Sequence, residues 1–454
     1  MPVLNRLRIS PVGLRGVVGE GLTVDHVLDF AAAFGTFLEG SGPVIIGRDT
    51  RRSGVMLREG VMASLLATGR DVIDLGVVST PVLQHAIARS DAAGGISIGA
   101  SHNAAEWNAL KFFGQNGTYL STSEANELLD IYHLRKFNYV EWNALGRCAA
   151  QSDAIDRYLD DLAREFDLER LRRFRVVVDC CNGTSALILA RLVERFGLNL
   201  ILINARTDGG FAHEPETNAR TVSLQLAPLI GPLNADAGFL FDADADRVAI
   251  ATEHGVPVSE EMVLPLIASY QIPRSAGKLV LTNLSTTGLV EEVAAQAGGA
   301  VVRVPVGRQA AIDALSGYRP DQLAVAGEGT GAIMLPQFRF VYDGIAAMLT
   351  ILSLVAERGQ PLSEIVSGFP PYTMLKGEVE LRAMKIPLLF AALRERYEDG
   401  RANTLDGLRI DWPDRWFHVR VSQTEPIVRV IVEQRGGAPQ ELFDAVMNTV
   451  RGLA

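Results

Sequence analysis

Pro43-Val-Ile-Ile-Gly47, then Arg48-Asp-Thr-Arg51-Arg52-Ser53-Gly54, an apolar run from Val55 to Thr68, and Asp71-Val-Ile-Asp-Leu-Gly76 together decide the fold. The outer pieces are short and rich in β-branched residues, the pattern of buried strands. The middle piece reads as a helix. Strand, helix and strand joined by short connections make a βαβ unit, which predicts two parallel strands. The loop after Gly47 then lies at the C-terminal edge of its strand, where open α/β sheets place ligands.

Upstream, Asp25 to Leu38 reads as a mostly apolar helix. Before it, Ser10-Pro-Val-Gly13-Leu-Arg15-Gly16 sets an arginine between glycines, either a plain turn or a bidentate grip on a phosphate or carboxylate. Downstream, Ser79-Thr-Pro81 reads as a turn. Ile96-Ser-Ile then begins a strand that breaks at Gly99-Ala100 and offers Ser101, His102 and Asn103 side by side. A serine at a strand end can present a nucleophile to a cleft, or it can merely cap the helix or turn that follows.

The strand–helix theme recurs. A charged helix from Tyr158 to Arg173 leads into a strand over 174–179, a helix over 187–196 and a strand over 198–203. A third unit follows from about Pro257, with strands at 278–282, 300–304 and 323–327 and a helix over 288–297. After Gly368-Phe-Pro370-Pro371 the composition shifts to strand-like stretches at 374–381, 416–420 and 428–433 around a helix from Ile386 to Tyr397. That is the pattern of a smaller α+β unit.

With 454 residues, 48% hydrophobic and 21% charged, the chain has ample core material for several domains. A net charge of −10 argues against a nucleic-acid surface. Three cysteines, two of them adjacent (Cys180, Cys181), make no disulfide framework and predict reduced, buried thiols in a cytoplasmic protein. The start lacks a basic stretch followed by an apolar one, so no signal peptide is expected. The apolar run from Gly344 to Val355 is too short to span a bilayer and predicts a core helix.

Asp242-Ala-Asp244-Ala-Asp246-Arg247 places three carboxylates at alternate positions, so an extended backbone pools their oxygens on one side. An all-oxygen set suits magnesium or calcium. An EF-hand loop is excluded: Arg247 stands where that loop needs glycine, and β runs flank it instead of helices. Gly327-Glu328-Gly329-Thr330-Gly331 is either a turn or a carboxylate offered to sugar hydroxyls. Arg420-Val-Ser422-Gln423-Thr424-Glu-Pro-Ile-Val-Arg429 is either a hairpin with surface arginines or a phosphate cradle.

Taken in order, these motifs resemble the α-D-phosphohexomutase family, which includes phosphoglucosamine mutases and phosphomannomutase/phosphoglucomutases. Ala100-Ser101-His102-Asn103, with Asn108 and Lys111 downstream, is similar to the family's phosphoserine loop. The carboxylates match its magnesium loop, Glu328 to Gly331 its sugar loop in a form near the archaeal type, and Ser422 to Arg429 its phosphate loop; Gly47 to Arg51 and Gly13 to Gly16 also match. The resemblance implies an α/β architecture of three tandem mixed α/β (βαβ-containing) domains plus a smaller C-terminal α+β domain around a central cleft. Their expected spans are 1–150 with the phosphoserine loop, 151–254 with the metal loop, 255–369 with the sugar loop and 370–454 with the phosphate loop.

The same resemblance implies phosphate moving between O6 and O1 of a hexose or hexosamine phosphate, through a phosphoserine at Ser101 and a hexose 1,6-bisphosphate. Ser101, Arg15, Lys111, His102 and Arg247 are its catalytic candidates. Glu328, Thr330, Arg308, Arg420, Ser422, Gln423, Thr424 and Arg429 are candidates for substrate binding, and Ser101, Asp242, Asp244 and Asp246 for Mg²⁺. A cytoplasmic enzyme follows, with no nucleic-acid or membrane partner, and a homodimer is compatible with it. Glucosamine phosphate is the leading substrate; phosphomannomutase/phosphoglucomutase activity and a catalytically impaired sugar-phosphate-binding paralogue are the alternatives. Ala104, Ala109, Ala243 and Gln423 depart from the family pattern, and strain is expected if Ala243 takes a positive φ.

Overall fold

The structure, a computed structural model, describes residues 7–381, 385–422 and 426–453. The segment that decides the fold behaves as its pattern predicts. Strand Val44–Arg48 is followed by helix Ser53–Ala67 and strand Val72–Val77, and the two strands pair in parallel from Val44 opposite Val72. They are the fifth and sixth strands of a seven-stranded mixed sheet ordered Leu7–Ser10, Gly13–Val17, Trp107–Gly114, Gly94–Ile98, Val44–Arg48, Val72–Val77, Cys148–Ala150. Strand Gly94–Ile98 runs parallel to Val44–Arg48 and antiparallel to Trp107–Gly114.

Two further mixed sheets follow. The second is ordered Pro257–Val258, Val248–Thr252, Ala237–Phe241, Val176–Asp179, Leu200–Ile203, and the third Ala300–Val304, Leu279–Asn283, Leu323–Gly327, Ile333–Met334. The fourth is an antiparallel sheet of five strands from Tyr372–Glu380 to Ile427–Arg435, covered by helices Ile386–Arg396 and Gln440–Gly452. The architecture is therefore three mixed α/β units and an antiparallel α+β unit.

One apolar core runs through the first three sheets, from Ile45 and Leu83 through Val178 and Phe239 to Leu349 and Ile365. Helix Gly344–Arg358 is buried along most of its length, as expected of its apolar run. The fourth sheet keeps its own core of Leu389, Leu393, Phe417, Val430 and Val446. A polar node also joins the first three units. The Asp161 carboxylate accepts from His85 (3.0 Å) and Arg89 (2.6 Å) of the first, Arg164 (2.5 Å) of its own helix and Arg339 (3.2 Å) of the third. Among the described residues no helix is long and apolar enough to cross a membrane.

Several local expectations need correction. Ser79-Thr-Pro81 opens a helix, Thr80–Ala88: the Ser79 side chain accepts from the Val82 amide, and Pro81 sits in the first turn, where a missing N–H costs nothing. The helix expected over 158–173 starts at Ala154 and breaks after Glu165. There Phe166 turns extended to bury its ring, and Asp167 caps the short helix Leu168–Leu171. Cys180 and Cys181 are buried free thiols, but Cys148 lies exposed on the sheet's edge strand.

Candidate active site

Strand Gly94–Ile98 ends against Asp49. A side chain at Gly99 would come within 2.7 Å of the Asp49 Oδ2, so only glycine lets the chain pass. Two residues on, Ser101 adopts a left-handed backbone with φ 49°, a conformation that disfavours a Cβ. No helix follows it; a turn leads into strand Trp107–Gly114, so Ser101 caps no helix. Its hydroxyl is buried and donates to Asp242 Oδ2 at 2.5 Å, and His102 Nδ1 lies 3.5 Å away.

Strand Trp107–Gly114 places Lys111 between two neighbours, opposite Gly13 on one side and Ser97 on the other. Gly13 has φ 132°, and a Cβ there would meet the Leu110 carbonyl at 2.0 Å, so the pairing demands glycine. Arg15, two residues further, donates to the Asn103 side chain at 2.9 Å.

Strand Ala237–Phe241 delivers Asp242, Asp244 and Asp246, all buried, with one oxygen of each within 4.8 Å of the others. Ala245 turns the loop with φ 57°. Thr80 donates to Asp244 Oδ2 at 2.5 Å, and Lys111 Nζ reaches the same oxygen at 2.5 Å and Asp246 at 3.7 Å. Arg308 donates to Asp246 Oδ2 at 2.9 Å while stacking between the rings of Tyr119 and Tyr342. Asp244 Oδ1 and Asp246 Oδ1 have no hydrogen-bond partner among the described residues. Three convergent hard oxygen ligands, two with unsatisfied oxygens, fit a divalent cation such as magnesium.

The electrostatics follow from burial and neighbours. Burial, reinforced by Asp246 and Asp244, pushes the Asp242 carboxyl well above its usual range. Burial works the same way on Asp246, but Arg308, Lys111 and Arg247 outweigh it and hold that carboxyl low. Burial opposes charge on Lys111, yet Asp244 and other neighbours lift it above the usual lysine value. Arg247, with burial and Arg15, drives His102 down to about 2, so its imidazole is neutral at physiological pH.

A cavity of about 430 Å³ opens onto Ser101, His102, Lys111, Arg15, Arg247 and Arg308, with Pro426 of the C-terminal unit at its edge. The structure thus brings the catalytic candidates, the acidic loop and Arg308 to one place. Glu328 joins at one remove: it accepts from the Tyr342 hydroxyl at 3.0 Å, and Arg308 stacks on that tyrosine. Thr330 Oγ1 is buried without a hydrogen-bond partner among the described residues. Arg420 donates to Asp406 at 3.0 Å, Arg429 pairs with Glu378 at 3.0 Å, and the Ser422 amide donates to the Ile427 carbonyl. Gln423 and Thr424 lie outside the described residues.

Thr80, Tyr119 and Tyr342 carry no sequence signal for this site; topology alone brings them to it. Helix Thr80–Ala88 could have been found, because serine followed by an early proline is a helix-start signal.

Family models described as Phosphoglucomutase/phosphomannomutase, alpha/beta/alpha domains I, II and III match residues 10–138, 156–255 and 259–372. The chain belongs to this family of phosphohexomutases. A phosphoglucomutase/phosphomannomutase of Thermococcus kodakarensis is 32% identical, with 93% of each chain covered. A protein of Pyrococcus abyssi named probable phosphoglucosamine mutase is 34% identical, covering 93% of this chain and 92% of that one. A crystal structure of a phosphoglucomutase/phosphomannomutase family protein from Burkholderia thailandensis superposes with a TM-score of 0.84 at 25% identity, over 98% of both chains.

Within this phosphohexomutase the alanine departures are accommodated. Ala243 is not in the left-handed region, so the strain expected there does not arise; the left-handed residue is Ala245. Ala243 instead lends its carbonyl to the Thr184 amide and hydroxyl. Ala109 sits in a regular strand, its carbonyl accepting from Gly99. Ala104 gives its carbonyl to Arg51 at 2.5 Å.

Proposed function

We propose that the protein moves phosphate between O6 and O1 of a hexosamine phosphate, with Ser101 as the phosphate carrier and glucosamine phosphate as the preferred sugar. The observation that carries this reading is the Ser101 hydroxyl 2.5 Å from Asp242, in a buried loop of three carboxylates faced by Lys111, Arg247 and Arg308. The preference for glucosamine rests on the name of the Pyrococcus abyssi relative.

In the forward direction the bond between Ser101 Oγ and phosphorus breaks and a bond from phosphorus to the free sugar hydroxyl forms. The proton lost by that hydroxyl balances the one Ser101 regains. The resulting bisphosphate turns over in the cleft, and the reverse transfer from its other end restores the phosphoserine. Asp242, Asp244, Asp246 and the Ser101 side would hold Mg²⁺, which neutralises charge on a transferring phosphoryl group. Lys111, kept protonated by Asp244, and Arg247 supply fixed positive charge beside the serine. Glu328 accepts from sugar hydroxyls, and Arg420, Ser422 and Arg429 belong to the cradle for the non-reacting phosphate.

The test is a mutase assay on glucosamine, glucose and mannose phosphates after charging with the hexose 1,6-bisphosphate, with phosphate on Ser101 followed by mass spectrometry. Glucosamine phosphate turned over fastest by an enzyme phosphorylated at Ser101 is the expected result. A Ser101→Ala protein with full activity would overturn the mechanism. Inorganic phosphate without isomerised sugar would instead mark a phosphatase.

A further inference from the structure

Arg51 lies outside the cavity, and none of the roles above uses it. Its side chain is wholly buried. The guanidinium donates to three backbone carbonyls of the serine loop: those of Ser101 (2.9 Å), Asn103 (2.7 Å) and Ala104 (2.5 Å). Nε donates to Asp49 Oδ2 at 2.9 Å, and Asp49 Oδ1 accepts the Arg51 amide at 3.0 Å, so the arginine is itself fixed in place. Phe211, from the connection after strand Leu200–Ile203, covers the guanidinium with its ring 4.7 Å from Cζ. That connection is pinned to the Arg51 loop: a Cβ on Gly209 would meet the Thr50 carbonyl at 2.6 Å.

We infer that Arg51, sealed by Phe211, is the positioning residue that holds Ser101 in its left-handed conformation with the hydroxyl directed at the acidic loop. The reason is local. A left-handed serine persists only where its surroundings over-determine it. The planar fork binds three carbonyls and the Asp49 carboxylate at once, four bonds that the three N–H donors of a lysine ammonium cannot all make. The alanine at 104 makes this clamp more important, because proline would stiffen that position through its fixed φ, and here the Ala104 carbonyl is held from outside. Phe211 belongs to the second unit, so the geometry of the serine depends on how the first two units are joined.

The inference rests on Ser101 being the phosphate carrier, and its test separates the two. Arg51→Lys keeps the charge but loses the fork; Phe211→Leu keeps an apolar cover but loses the ring. Each full-length Mg²⁺-loaded variant is mixed with glucose 1,6-bisphosphate, and Ser101 phosphorylation is timed by quenched-flow mass spectrometry. Steady-state kcat and KM, Mg²⁺ affinity by calorimetry and Tm are measured alongside. Arg51→Lys should slow Ser101 phosphorylation and lower kcat by about 100-fold, the scale of a misplaced reacting group, with KM and Mg²⁺ affinity within about 3-fold. Phe211→Leu should lower both rates by about 5- to 10-fold. Arg51→Lys or Phe211→Leu protein with a lowered Tm but wild-type phosphorylation rate and kcat would make the clamp a mere fold element and overturn the inference. If Arg51→Lys does not fold, Phe211→Leu decides alone. Full activity in Ser101→Ala would instead sink the carrier role itself.

Discussion

At the scale of single residues, two left-handed positions, Ser101 and Ala245, stand on opposite sides of the same 2.5 Å hydrogen bond. Removing the hydroxyl in Ser101→Ala should lower mutase kcat by more than about 10³-fold, since no other hydroxyl could carry the phosphate, and a coupled product assay reads it. The alanines of the acidic loop make a sharper contrast. Ala243→Gly restores the family residue but relieves nothing, because Ala243 is not left-handed. It should cost about 1 kcal/mol through backbone freedom and a lost buried methyl. Ala245→Gly incurs the same losses but gains relief at φ 57°, so its stability in urea should stay within about 0.5 kcal/mol of wild type. The carboxylates were legible in sequence because their chemistry shows in residue type and spacing; Ser101 could be read as a nucleophile or a cap, and Lys111 entered only through the family resemblance. Which alanine bears the strain was not legible, since φ is set by how the loop docks on Gly344 and Arg308.

At the scale of elements, most strands and helices follow from alternation and apolar runs, and the failures fall where two signals share residues. Ser79-Thr-Pro81 carries both a turn and a helix-start signature, and capping of Val82 settles it as a helix. The turn before strand Leu408–Asp411 shows what pattern cannot reveal. Asp406 Oδ2 accepts both Arg420 Nε and the Val306 amide, tying Arg420, which we propose helps hold the non-reacting phosphate, to the backbone two residues before Arg308. Asp406→Asn should therefore raise KM for sugar phosphate several-fold while Mg²⁺ affinity stays unchanged, as steady-state kinetics and calorimetry can show. A second link is pH-sensitive. Glu261 lies against Gly329, in the loop proposed to meet the sugar, and accepts Lys376 Nζ of the C-terminal sheet at 2.9 Å. Burial, opposed by Lys376, raises its carboxyl from 4.5 to about 7. A folded state that binds this proton more tightly than the unfolded chain is favoured fully below pH 4.5, and loses that advantage as pH rises through 7. The Tm of wild type relative to Glu261→Gln should fall between pH 5 and pH 8; a constant difference would refute the linkage.

At the scale of the molecule, four-unit organisation was readable from the repeated strand–helix theme and the shift at Gly368-Phe-Pro370-Pro371. The sharing of one core by three of the units was not, because no local pattern says which apolar faces meet. We propose that 1–150, 151–254 and 255–369 unfold as one cooperative block, while 370–454, with its separate core, unfolds on its own. Scanning calorimetry should then resolve two transitions, the smaller carrying about 60 kcal/mol, as expected for about 85 residues. The shared core also has a consequence for how the chain is made. Ile45 packs into a core that is not complete until Ile365 has been added. Synthesis proceeds at about 5–20 residues per second. Between the synthesis of Ile45 and that of Ile365, about seven-tenths of translation, the nascent chain therefore carries apolar faces whose partners are still unmade. On the ribosome this protein should engage chaperones early and release them only once the third unit has emerged.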